Sequence, residues 1–142
     1  MEDIFEQAEN ENKIVAVVKY PYQKPEVTAI DKGLSPIQKI VGGNIDVVYL
    51  PDIDDIHGFC NDEGLLIGLE PNFYRPEYKD AIVGPAVFFS SGNDGGSESL
   101  SREQVKKITD FLTVNSVKDY GEFYRNVQTD FAYYKPKSVS EM

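Results

Sequence analysis

Residues 34–72 constrain the fold more than any other stretch. A short helix, a glycine turn, several apolar runs and an acidic loop follow one another there without a gap. Ser35 can cap a helix through its side-chain oxygen, and Pro36 suits the first helical turn, where its missing N–H would have no partner. Gln38, three residues after Ser35, gives the weaker form of a capping box. Leu34, Ile37, Ile40 and Val41 recur at helical spacing, and Gly42-Gly43 can take positive φ past the helix end. A helix of about two turns is marginal alone, so it needs a sheet to pack on. The sheet follows at once. Ile45–Leu50 is β-branched and aromatic and is stopped by Pro51. Ile56–Cys60 reads as a second strand, Asn61-Asp62-Glu63-Gly64 as a turn and Leu65–Leu69 as a returning strand, so residues 56–69 are expected to form a hairpin.

The flanks extend this pattern. Lys13–Tyr20 is the clearest strand; its apolar residues barely alternate, which predicts burial on both faces and a central place in the sheet. Glu26–Asp31 is a weaker strand. Two strands before one helix favour a hairpin over a parallel crossover. Ala81–Phe89 is a strand interrupted at Gly84-Pro85, an expected edge or bulge because proline has no N–H for the ladder. Ser90–Ser99 is the most glycine-rich internal stretch. Ser101-Arg102-Glu103-Gln104 is a capping box, and Val105, Ile108, Phe111 and Leu112 share one face of a helix that should run to about Val114. The expected organisation is an acidic leader at 1–12, a core domain at 13–114 and an aromatic C-terminal arm at 115–142. The expected fold class is α+β: one mostly antiparallel sheet of five or six strands with two main helices packed on it.

Charge and composition exclude several functions. With 14 Lys plus Arg against 24 Asp plus Glu, the formal charge is -10. That opposes direct nucleic-acid binding, which needs clustered basic residues, and opposes an anionic membrane surface. It permits a basic protein partner, a divalent cation or mimicry of nucleic acid, and it also serves simple solubility. No apolar run reaches the roughly 20 residues a membrane span needs. The acidic N-terminus lacks a signal-peptide pattern, and the single cysteine, Cys60, cannot form an internal disulfide. These features predict a cytoplasmic protein.

Each chemical constellation has a plainer competitor. His57 and Cys60 could form a thiol–imidazole pair, yet a spacing of three on a strand sends them to opposite faces. Asp52, Asp54, Asp55, Asp62 and Glu63 could hold an ion, but Ile56 stands at the fifth position of a calcium loop begun at Asp52, and the two groups of acids flank a strand that separates them. The glycines lack the lysine of a phosphate-binding loop. Catalytic and metal-ligating residues are therefore expected to be none, and no cofactor is expected. Two constellations stand as candidate ligand contacts. Tyr20, Tyr22, Phe73, Tyr74, Arg75 and Tyr78 could stack on a base and hold a phosphate, or could pack on the sheet. Ser99, Ser101 and Arg102 open a helix whose free N–H groups could take an anion.

The order Leu34, Gln38, Val41-Gly42-Gly43, Ile45, Asn61-Asp62-Glu63-Gly64, Gly68, Asn72, Ile82-Val83-Gly84, Ser99-Leu100-Ser101 and Gln104 resembles a family of small domains of unknown function found in bacteriophages, plasmids and conjugative elements. The resemblance covers about residues 13–112. It implies no activity or site residues, but it does imply an accessory protein of a mobile element acting on host machinery. The expected function is accordingly a non-enzymatic binding protein, plausible in counter-defence, that engages a host protein or sequesters a small nucleotide signal. The alternatives are a small divalent-ion-dependent nucleotide-processing enzyme and an acidic nucleic-acid mimic. Self-association, if present, is expected through the C-terminal arm.

Overall fold

The computed structural model describes residues 3–92 and 96–129. Its organising strand is β1, Ile14–Lys19, in which every residue is buried. An unbroken apolar run needs cover on both faces and a neighbour on both edges, and β1 has all four. It pairs antiparallel with β2, Glu26–Ile30, on one side and with a later strand, Ala86–Ser91, on the other. The chain then forms α2, Leu34–Val41, which Gly42 ends in the left-handed conformation at φ +79. Its start differs from expectation. Gly33 occupies the capping position and Ser35 lies inside the helix, with no side-chain cap bond.

Beyond α2 come β3, Ile45–Val48, and β4, Ile56–Asn61, which pair with each other. The expected returning strand over Leu65–Leu69 does not form. Backbone bonds from Ile67 N–H to Glu63 O and from Leu69 N–H to Gly64 O wind the segment into consecutive turns, with Gly68 at φ +73. Its apolar side chains read as a strand, but Leu66 and Ile67 are 64% and 56% exposed. Strand β5, Pro71–Arg75, follows, then a single 3-10 turn at Pro76–Tyr78 and β6, Asp80–Val83. The break at Gly84-Pro85 is more than a bulge. Residues 80–83 belong to a two-stranded ribbon with β5, and β7, Ala86–Ser91, belongs to the main sheet. Gly84 makes the corner at φ +77.

The main sheet has six strands in the order β2-β1-β7-β4-β3, with β8, Ser97–Glu98, on the end of β7. Every strand pairing among the described residues is antiparallel. One face carries Ile14, Ala16, Val18, Val87 and Phe89 against Ile37 and Val41 of α2. The other carries Val15, Val17, Cys60, Ala86 and Phe88 against Phe73 of the ribbon and Ile108 and Leu112 of α3, Arg102–Val114. Helix α3 starts with the expected capping box, formed reciprocally by Ser101 and Gln104. Two further helices join the two expected ones. Helix α1, Ile4–Asn10, is capped by Asp3 and buries Ala8 against this second face. Helix α4, Tyr120–Thr129, places Phe123 against Tyr74, Ala81 and Val117 on the far side of the ribbon. The fold is α+β. The expected arm residues Phe131, Tyr133 and Tyr134 lie outside the described residues.

Candidate functional site

A partly enclosed recess with apolar walls forms where the ribbon and the 61–68 turn lean together. Asn61, at the end of β4, is buried and sets the turn. Its Nδ2 donates to Val41 O at 3.1 Å, and its Oδ1 accepts from Glu63 N–H at 2.8 Å. Gly64 then passes close to β6, where a Cβ would stand 2.9 Å from Val83 Cγ2. Leu69 fills the space above Gly84, with its Cδ1 2.6 Å from where a Cβ would be. Pinned at both ends, the turn leaves a cleft of about 330 Å³ against β6. Cys60, Leu65, Ala81, Ile82 and Val83 supply apolar walls, and Asp46, Asp62, Glu63 and Asp80 supply acids. No lysine, arginine or histidine is among the described residues that line it.

One of the four cleft acids is paired with a cation and three are exposed. Asp46 keeps one oxygen on Val47 N–H at 2.9 Å. Asp80 is gripped by Arg75 through Nε at 2.8 Å and Nη2 at 2.5 Å. The same guanidinium donates from Nη1 to Tyr49 O at 2.9 Å and lies 4.7 Å from the centre of the Tyr78 ring. Asp46, Asp62 and Glu63 are exposed. Among the described residues no three His, Cys, Asp or Glu side chains gather closely enough to hold a metal ion. Burial, and the acids Asp46 and Asp62 after it, push the Cys60 thiol up to about 11, so it is a protonated wall group at neutral pH.

A second, more polar recess of about 700 Å³ lies where the 53–55 loop meets β7 and the start of α3. It joins two features far apart in sequence, the acids Asp54 and Asp55 and the helix-opening Ser101. Its groups largely satisfy one another. Gln104 Nε2 donates to Asp55 O and Ser90 Oγ, both at 3.1 Å, and Lys107 pairs with Glu103 at 3.1 Å.

The other candidate contacts are dispersed. Phe73 is fully buried between Phe88 and Phe111. Tyr74 points from the other face of β5, stacks on Phe123 and accepts at its hydroxyl from Asn126 Nδ2 at 2.8 Å. Tyr20 packs beside the α2 face of the sheet, while Tyr22, at φ +65, donates its hydroxyl to Glu70 at 2.6 Å. Arg75 and Tyr78 meet each other, as described. Ser99 Oγ accepts from Val15 N–H at 2.8 Å, Ser101 caps α3, and Arg102 reaches Asp3 at 2.6 Å while lying over Phe5. His57 packs edge-on against Phe59, which faces the α2 side, whereas Cys60 faces the other side. The cleft itself was not anticipated from sequence. Its signal was the pair Gly64 and Gly84, each sitting where a neighbouring side chain comes too close for a Cβ.

Fold and site together define a small antiparallel α+β protein with an apolar cleft ringed by carboxylates. Residues 13–113 match the family described as Domain of unknown function (DUF3846), and the chain belongs to that family. No curated protein and no solved structure matches it. No helix among the described residues is long and apolar enough to cross a membrane.

Proposed function

We propose that this chain is a non-catalytic binding protein, an accessory of a phage or mobile element that blunts a host defence by occupying a host protein. The observation that carries the reading is the acid-ringed cleft with apolar walls, a form suited to gripping rather than to transforming. Chemistry there has little to work with, because the Cys60 thiol is held protonated and His57 lies on the other face of the sheet. A protein partner is better supported than a small nucleotide. The cleft carboxylates repel phosphate, and the faces of Phe73 and Tyr74 are already occupied by Phe88, Phe111 and Phe123.

The test is affinity capture from lysate of a bacterial host, at low and at raised salt, with wild type and with Asp62→Asn, Glu63→Gln. Wild type should retain one stoichiometric protein that elutes as salt screens the acids, and the variant should lose it. Turnover of a nucleotide by the purified chain, abolished by removing a single side chain, would refute the reading.

A further inference from the structure

We infer that the cleft between the 61–68 turn and β6 is the docking site for an extended peptide segment carrying an arginine or lysine beside apolar residues. The inference rests on the binding reading above and names the chemistry of its partner. Four acids line the cleft; Arg75 pairs with one of them, Asp80, while Asp46, Asp62 and Glu63 stand exposed. No basic residue is among the described residues of the lining, in a chain whose formal charge is -10. The charge complement is therefore cationic. The acids are too far apart for three of them to share one metal ion, so they suit a larger organic cation with several donors. A guanidinium or ammonium on an aliphatic stem fits both parts of the site, the stem along Cys60, Ala81 and Val83 and the head among the acids.

The apolar component extends outside the cleft. Leu66 lines its edge and Ile67 follows, and both stand largely in solvent at the tip of a turn held by backbone bonds and by Gly64 against Val83. Two adjacent exposed aliphatics on a fixed turn, next to an acidic recess, make an amphipathic surface. They match apolar residues flanking the cation in the partner. The site is preformed, so little ordering is required on this side.

The experiment uses the full chain and a synthetic peptide alternating leucine and arginine, with a twin in which citrulline replaces every arginine. Binding is followed by calorimetry at physiological ionic strength and mapped by amide NMR shifts. The arginine peptide should shift residues 46, 60–66 and 80–83, and the citrulline twin should not bind. Asp46→Asn with Glu63→Gln should weaken binding about tenfold, the size expected for two partly exposed ion pairs. Glu9→Gln with Glu103→Gln removes the same charge from α1 and α3 and should change affinity less than about twofold. Leu66→Ser with Ile67→Ser, both exposed and tolerant of polar replacement, should also weaken binding. Equal losses in the control pair, equal binding of the citrulline twin, or shifts centred elsewhere would overturn the docking assignment. If the peptide fails while wild type still retains a host protein that the Asp62/Glu63 variant loses, this assignment falls and the binding reading stands. Nucleotide turnover with no retained protein would sink both.

Discussion

At the scale of single residues, Lys19 is the most unusual group. Its side chain is buried, and Nζ donates to Tyr20 O and to Asn72 Oδ1, both at 2.9 Å, with no carboxylate partner among the described residues. Burial lowers its pKa from 10.5 to about 8. The unfolded chain therefore binds the proton more readily than the folded one between those values, and stability should rise as pH increases from about 8. Cys60 works in the opposite sense, because its pKa is raised from 9.0 to about 11 and stability is lost as pH climbs through that window. Between pH 8 and 9 the lysine effect should dominate. Denaturant melts should show a midpoint rising over that interval in wild type and flat in Lys19→Met. Gly58 is the second such residue. A Cβ there would meet Val48 O at 2.5 Å and Phe88 Cε1 at 2.6 Å. Gly58→Ala should cost about 3 kcal/mol by overpacking, read as a lowered urea midpoint. Neither residue announced its role in sequence. A lysine ending an apolar run looks like a solvated strand end, and only the ribbon laid over β1 reveals that it is enclosed.

At the scale of elements, local signals were legible where local chemistry decides the outcome. The Ser101–Gln104 box starts α3 and Gly42 closes α2 because caps are satisfied within a few residues. Ser101→Ala should lower stability by about 1 kcal/mol, measured by equilibrium unfolding, with α3 amides exchanging faster. The Leu65–Leu69 segment was misleading because its apolar run carries a strand pattern while Gly64 and Gly68 favour turns, and the turn bonds win. The candidate aromatic wall is dispersed for a related reason. Alternation along β5 sends Phe73 into the main core and Tyr74 toward α4, so neighbours in sequence become lodged in separate clusters. The α4 cluster is small, and Phe123→Ala should cost about 3 kcal/mol there. Its effect should be local, with exchange protection lost across 119–126 and in β5 but retained in β1.

At the scale of the whole molecule, an excess of ten negative charges is a property that packing does not relieve. Self-repulsion favours expanded states, so moderate salt should raise the melting temperature by screening. The same addition should weaken any cationic partner, and the two opposed trends in one buffer series separate global charge from a specific contact. The antiparallel architecture was readable because strand order, helix spacing and turn residues agreed. The division into a main sheet and a ribbon was not, because it depends on one corner at Gly84-Pro85 whose residues are equally consistent with a bulge.

That corner ties the periphery to the middle. Only two residues separate the cleft wall, Asp80–Val83, from β7, which lies between β1 and β4 in the sheet. A tenant of the cleft would thus lean on a beam rather than on a loose flap. Slowed deuterium uptake should spread from 80–83 into the amides of 86–89, which do not line the cleft themselves.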